Sequence, residues 1–169
     1  EHADHIEVLT GIVLTVAQHQ AGDPAVVTDG FFNNAIPDRF DLVVGKNPIP
    51  EVQAYGERQG VSVTGGVPDV RPYYRRSWIQ MVPLRIGGGT RLKIVESLAI
   101  GPPVVSTTIG AQGLALQHGE DIFLADDAEG FASGIARLLE DPALRERLER
   151  KGIAAAKERF GWPAIGERL

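Results

Sequence analysis

Arg91 and Lys93 follow directly on Gly87-Gly88-Gly89-Thr90, and Glu96 stands about one helical turn further on. Glycines carry no Cβ, so such a run leaves backbone N–H groups bare at a loop surface. Cations in the first turn of a helix oppose its dipole, each at a cost of about 0.3–1 kcal/mol. An anion seated at the helix N-terminus removes that conflict and uses the loop N–H groups as donors. Phosphate is the group this arrangement suits. The plainer alternative is that Arg91 and Lys93 are solvated charges and Glu96 an exposed helical carboxylate.

The flanking residues supply the elements that hold this stretch. Ile79-Gln80-Met81-Val82-Pro83 is short and mostly apolar, as a buried parallel strand is. Thr90 is a suitable N-cap for a helix over 91–100, and Gly101-Pro102-Pro103 ends it. At roughly 100° per residue, Leu92, Ile94, Val95, Leu98 and Ala99 form its core arc. Lys93 lies opposite that arc and Glu96 at its edge. Arg91 falls near the centre of the arc, but in the first turn, where it can lean out of the helix mouth.

Strand and helix patterns alternate along the rest of the chain. Strands are expected over 6–16, 25–28, 40–44, 61–64, 104–106 and 122–124, and short helices over 50–59 and 70–76. A helix over 128–139 starts at a cap supplied by Asp126 or Asp127. Another starts at Asp141-Pro142, a cap followed by proline, and carries Leu144, Leu148 and Ile153 inward. This alternation implies an α/β, Rossmann-like parallel sheet with helices on both faces. Ligands of such sheets sit at the carboxyl ends of the strands, so the loops at Gly45, Gly65 and Gly87 should share one edge.

The chain has 169 residues, 43% of them hydrophobic, enough for one domain with a sizeable core. A formal net charge of −5 argues against a nucleic-acid partner. Cysteine is absent, which removes disulfides and thiolate metal sites. His2 and His5 are the only histidines close in sequence, and no metal site is expected. No apolar run reaches the roughly 18–20 residues that span a bilayer. No signal peptide is visible in Glu1-His-Ala-Asp-His5, so a cytoplasmic location is expected. There is no Gly-x-Gly-x-x-Gly after a strand and no Gly-x4-Gly-Lys-Ser/Thr loop, which disfavours dinucleotide and P-loop enzymes.

Val82-Pro-Leu-Arg-Ile-Gly-Gly-Gly-Thr-Arg-Leu-Lys-Ile-Val-Glu96-Ser-Leu-Ala and Gly101-Pro-Pro-Val-Val-Ser-Thr-Thr-Ile-Gly-Ala-Gln-Gly-Leu114 together resemble the nucleotide-sugar-binding half of GT-B glycosyltransferases. The family 4 retaining enzymes are the nearest pattern. Leu42-Val-Val-Gly-Lys-Asn-Pro48, Val63-Thr-Gly-Gly-Val-Pro-Asp-Val70 and Gly119-Glu-Asp-Ile-Phe-Leu-Ala-Asp126 add weaker matches, so the resemblance covers about residues 40 to 162. It implies that Glu96 binds the donor ribose. It implies that Gly87, Gly88, Gly89, Thr90 and Arg91 meet the diphosphate, with Lys93 a further candidate. Val67 and Pro68 would touch the nucleobase, and Gly45 and Lys46 would line the cleft floor. The substrate implied is a nucleoside-diphosphate sugar, with no separate cofactor, and the sugar a hexose.

Two departures qualify that picture. The family's first glutamate, eight positions before Glu96, falls on Gly88, so backbone N–H groups would replace a side-chain contact to the sugar. The segment before Phe40 is short for the strand, basic glycine turn and long helix that open the family domain. Residues 1–39 therefore read as an incomplete or reduced first part, and 40–169 as the nucleotide-sugar-binding domain. An N-terminal acceptor domain, which carries the catalytic residues in this family, is expected as a partner. Any peripheral membrane contact would come through that half. Trp162-Pro-Ala-Ile-Gly-Glu-Arg-Leu169 resembles the start of the helix that crosses back to it. The expected function is donor binding in a retaining glycosyltransferase, inactive as this domain alone. The alternatives are a non-catalytic nucleotide-binding or interaction domain of the same fold, and a nucleotide-sugar epimerase of similar architecture.

Overall fold

The computed structural model describes residues 13–18, 39–44, 50–57, 61–85 and 91–166. Six strands form one sheet: β1 (Val13–Gln18), β2 (Arg39–Val44), β3 (Val61–Gly65), β4 (Ser77–Val82), β5 (Val104–Ser106) and β6 (Phe123–Leu124). Their order across the sheet is β3-β2-β1-β4-β5-β6. That is the doubly wound order, in which the strand sequence reverses at the centre.

The pair β2–β3 is parallel, as are β4–β5 and β5–β6. β1 pairs antiparallel with both β2 and β4. Five strands therefore point one way, as the sequence pattern requires, and the central β1 points the other. Hydrophobic periodicity carries no information about strand direction, so this reversal has no sequence signature. It pairs Val13 with Val44 and Gln18 with Arg39, which places the carboxyl end of β1 at the edge opposite the other five. β1, drawn from the residues before Phe40, thus sits in the middle of the sheet formed by the rest.

Six helices complete the described fold: α1 (Pro50–Tyr55), α2 (Arg71–Arg76), α3 (Leu92–Ile100), α4 (Ala128–Glu140), α5 (Pro142–Phe160) and α6 (Trp162–Gly166). The β2-α1-β3 and β4-α3-β5 crossovers travel in opposite directions across the sheet. Right-handed connections then put α1 and α3 on opposite faces. Asp127 caps α4 by accepting from the Gly130 N–H at 2.7 Å, and Asp141 caps α5 by accepting from the Leu144 N–H at 2.9 Å. No helix among the described residues is long and apolar enough to cross a membrane.

Each face has its own apolar cluster. On one, Ile79, Val105 and Phe123 of the sheet pack against Ile135, Leu138 and Leu139 of α4 and Leu144 and Leu148 of α5. On the other, Val82, Val104 and Ile122 pack against Ile94 and Leu98 of α3 and Ala156 of α5. The alternation of strand residues between faces is the period-two pattern of a sheet buried on both sides.

Two expected core faces differ from those observed. In α5, Ile153 is 38% exposed, while Gly152, Ala155 and Ala156 are buried behind Leu144 and Leu148. Gly152 lies so close to Leu98 that a Cβ there would sit 2.8 Å from its Cδ2, and this contact sets the buried stripe one position before Ile153. In α3, Ile94, Ser97 and Leu98 are buried, whereas Leu92 is 60% exposed and Ala99 is exposed. The Ser97 hydroxyl donates to the Pro102 carbonyl at 2.8 Å, and burying that bond turns the helix away from the arc that apolar residues alone suggest.

Candidate functional site

The five parallel strands end at Val44, Gly65, Val82, Ser106 and Leu124 along a single edge. Of the residues singled out in the sequence, Gly45, Lys46, Gly87, Gly88, Gly89 and Thr90 lie outside the described residues. Val67, Pro68, Arg91, Lys93 and Glu96 are described, and all follow strand ends on that edge.

Val67 and Pro68 stand in the loop after β3. Gly65 opens this loop at φ +68°, a left-handed conformation that favours glycine. Asp69 closes it, accepting from the Arg71 backbone N–H at 2.9 Å and from the Arg71 guanidinium Nε and Nη2 at 2.9 and 3.0 Å. Those side-chain and backbone bonds hold the Asp69 carboxyl below its usual range. Val67 is half-buried and Pro68 exposed, so the loop presents backbone and one ring to solvent. The loop and the mouth of α3 are separated by three strand spacings, or about 14 Å.

At that mouth the cap position belongs to Arg91, not Thr90: Arg91 has φ −81° and ψ 54°, and its carbonyl accepts from the Ile94 and Val95 N–H groups at 3.0 and 3.3 Å. The Arg91 side chain does not lean out of the mouth as expected. It is 7% exposed and donates from Nη2 to the Ile109 carbonyl at 3.0 Å. That bond satisfies part of a charged group whose burial would otherwise be costly. Lys93 is half-buried. Burial first, and then the neighbouring Arg91 charge, push its ammonium below the ordinary 10.5. Two cations thus crowd the positive end of one helix dipole, the conflict that an anion would relieve.

Glu96 is exposed on the next turn. Tyr74 of α2 is fully buried beneath it, and its hydroxyl faces the Lys93 carbonyl at 3.4 Å. Burial, then the Glu96 charge, then a hydrogen bond to Glu96 raise the Tyr74 phenol well above its ordinary value. The phenol stays neutral, able to donate to the carboxylate that the sequence singled out.

Behind the mouth lies a polar network that sequence reasoning missed. The Thr107 hydroxyl donates to the Leu84 carbonyl and accepts from the Gly110 N–H at 2.9 Å. Asp126 accepts from the Thr108 N–H at 2.7 Å and from the Thr108 hydroxyl at 2.8 Å. These Thr108 bonds, backbone before side chain, hold the Asp126 carboxyl below its usual range. A Cβ on Gly110 would lie 3.0 Å from the Val82 carbonyl oxygen and still nearer the Ser106 hydroxyl. Only glycine lets the loop after β5 lie that close to β4. On the α4 side of the same edge, Met81, Pro83, Phe131 and Ile135 line an apolar cleft of about 250 Å³, with Arg85 and Asp126 also lining it. Asp126 was readable only as one of two candidate helix caps; Asp127 takes that role, and the partner of Asp126 is distant in sequence.

This architecture, a doubly wound sheet with helices on both faces, corresponds to one half of the GT-B fold. Residues 32–141 match the family described as Glycosyl transferases group 1, and the chain belongs to that family. It is 33% identical over 106 residues to a D-inositol 3-phosphate glycosyltransferase of Thermobispora bispora, covering 60% of this chain and 24% of that protein. It is 39% identical over 74 residues to the lipopolysaccharide core biosynthesis glycosyltransferase LpsE of Rhizobium meliloti, covering 43% and 22%. Among solved structures it is similar to sucrose-phosphate synthase from Thermosynechococcus elongatus, with 27% identity, a TM-score of 0.62, and coverage of 75% of this chain and 36% of that one. It shares its fold with Anabaena HepE at 22% identity and a TM-score of 0.63, covering 71% and 35%. The chain spans about a quarter of the length of the curated relatives it matches.

Proposed function

We propose that this chain is the donor-binding domain of a retaining glycosyltransferase that takes a nucleoside-diphosphate sugar and passes on a hexose. The observation that carries the proposal is the mouth of α3. Arg91 caps it, Lys93 is half-buried beside Arg91, and Glu96 stands one turn on with its carboxylate exposed. In this reading the diphosphate sits at the helix N-terminus, against Lys93 and the N–H groups of residues 87–90. Glu96 accepts from the ribose hydroxyls. The Val67–Pro68 loop, three strands away, receives the base. Fixed cations and a helix dipole would stabilise the charge that grows on the leaving diphosphate as the sugar departs. HepE, similar in fold, was solved with UDP and with UDP-glucose. The acceptor and the remaining catalytic groups would come from the rest of a two-domain enzyme.

Titration of the chain with UDP, GDP and ADP tests this. One of the three is expected to bind, and Glu96→Ala to weaken it by about tenfold, the loss of one charge-assisted contact. No binding of any of them at millimolar concentration would overturn the reading. The replacement of the family's first glutamate by Gly88 favours one other reading, a nucleotide-binding domain without transfer activity. It predicts the same nucleotide affinity but no gain when a sugar is attached to the diphosphate.

A further inference from the structure

The polar network behind the helix mouth is continuous, and donor binding as described makes no use of it. Asp126 is the second residue beyond β6. It grips both the N–H and the hydroxyl of Thr108, at 2.7 and 2.8 Å. The next residue, Ile109, offers its carbonyl to the Arg91 guanidinium at 3.0 Å. The Arg91 carbonyl in turn receives the Ile94 and Val95 N–H groups, the first two bonds of α3. Contacts thus run from the end of β6, through the loop after β5, to the first turn of the helix that carries Lys93 and Glu96.

The loop is fixed from its other side as well. Thr107 ties it to the Leu84 carbonyl, in the segment that leaves β4, and Gly110 closes back on Thr107. The Ile109 carbonyl is therefore held in place by groups on either side of it. Anchoring a loop is in itself only a structural task. The task here reaches further because the far end of the anchor is a buried guanidinium at a cap position. Arg91 makes no side-chain capping bond to the helix, and its bond to the Ile109 carbonyl ties the start of α3 to this loop. A shift of that carbonyl moves Arg91 and, with it, the turn on which the proposed diphosphate contacts stand.

We propose that Asp126 and Thr108 are positioning residues for the donor site: by holding the Ile109 carbonyl they lock Arg91, and so the first turn of α3, in the geometry that receives the diphosphate. The proposal rests on the donor reading above. Neither residue touches the donor. Both carboxylate oxygens of Asp126 are occupied by Thr108, and these bonds hold its carboxyl below the usual range, so it is ionised in that grip at neutral pH.

The test uses Asp126→Ala, Asp126→Asn and Thr108→Val, with two readouts: affinity for whichever of UDP, GDP and ADP the wild type binds, and amide exchange at Ile94 and Val95. Asp126→Ala should weaken nucleotide binding by about five- to twentyfold, the range of coupling through one contact chain. It should also speed exchange at Ile94 and Val95 without nucleotide present. Thr108→Val keeps the backbone bond and loses the hydroxyl, so its effect should be intermediate. Asp126→Asn keeps an oxygen for the Thr108 N–H and gains a donor for its hydroxyl, and should restore affinity to within about twofold. If Asp126→Ala binds nucleotide as the wild type does, the proposal is overturned. It is overturned equally if affinity falls while exchange at Ile94 and Val95 is unchanged, because Asp126 would then act by direct contact. A wild-type chain that binds none of the three nucleotides overturns the donor reading and this proposal with it, which tells the two failures apart.

Discussion

The Tyr74 hydroxyl lies 3.4 Å from the Lys93 carbonyl oxygen and joins α2 to the first turn of α3. Both helices follow strands that end on the carboxyl edge. α2 begins at the Asp69–Arg71 clasp beside Pro68, and α3 begins at Arg91. One buried phenol therefore fixes the distance between the loop proposed to meet the base and the turn proposed to meet the ribose.

Tyr74→Phe keeps the ring and removes only the hydroxyl. The loss should be about 1 kcal/mol of stability, the net worth of one intramolecular hydrogen bond. Urea denaturation should show a lower midpoint with an unchanged slope. Glu96 loses its orienting donor in the same substitution, so nucleotide affinity should fall about threefold, and Phe should not be rescued by raising pH. Unchanged affinity would mean that Glu96 is oriented by other groups.

Lys93→Met should separate stability from binding. The folded Lys93 holds its proton less tightly than the unfolded chain does, owing to burial and then to Arg91. Between that depressed value and 10.5 the unfolded state binds more protons, so stability rises with pH across the window. Below the window both states are protonated and the full penalty remains. The methionine variant should lack this rise, while nucleotide affinity drops. Denaturation curves at a series of pH values, compared with one binding titration at neutral pH, provide the check. A Lys93→Met variant whose stability still rises across the window would show that another group titrates there.

Gly134→Ala sets two known effects against each other. Inside a helix the change normally gains about 1 kcal/mol. Here the new Cβ would lie 2.6 Å from Cδ1 of Phe123 and closer still to Cε1. The ring is hemmed by His118, with centroids 4.8 Å apart, and by the Arg137 guanidinium at 5.8 Å. Overpacking of this kind costs about 1–3 kcal/mol, so the melting temperature should fall. A rise would mean that the ring can retreat.

How far the sequence could be read depended on the range of the interactions. Asp127 and Asp141 are visible as caps because their partners lie three residues away. The strand at Ile79 and the stop at Gly101 are visible because apolar runs and glycine act locally. Arg91 was misplaced because its partner, Ile109, is 18 residues distant. An arginine on a core arc looks misfitted until that carbonyl is in view. Ile153 was misplaced for a related reason: the close approach of Gly152 to Leu98 decides which side of α5 is buried, and a hydrophobicity pattern ranks glycine below isoleucine. Asp126 and Thr108 left no local trace, since their bond joins the ends of two different strands. The antiparallel direction of β1 was likewise invisible, because strand direction is a property of the chain path.

α5 contributes Leu144 and Leu148 to the cluster on one face of the sheet and Ala156 to the cluster on the other. It follows every strand among the described residues. During synthesis, neither face can be sealed until residue 160 has cleared the ribosome, so the nascent sheet waits with apolar surface open on both sides. Such waiting surfaces are where chaperones bind and where chains stick to one another. The same helix makes the two faces a single cooperative unit: whatever loosens its middle, at Gly152, opens both at once.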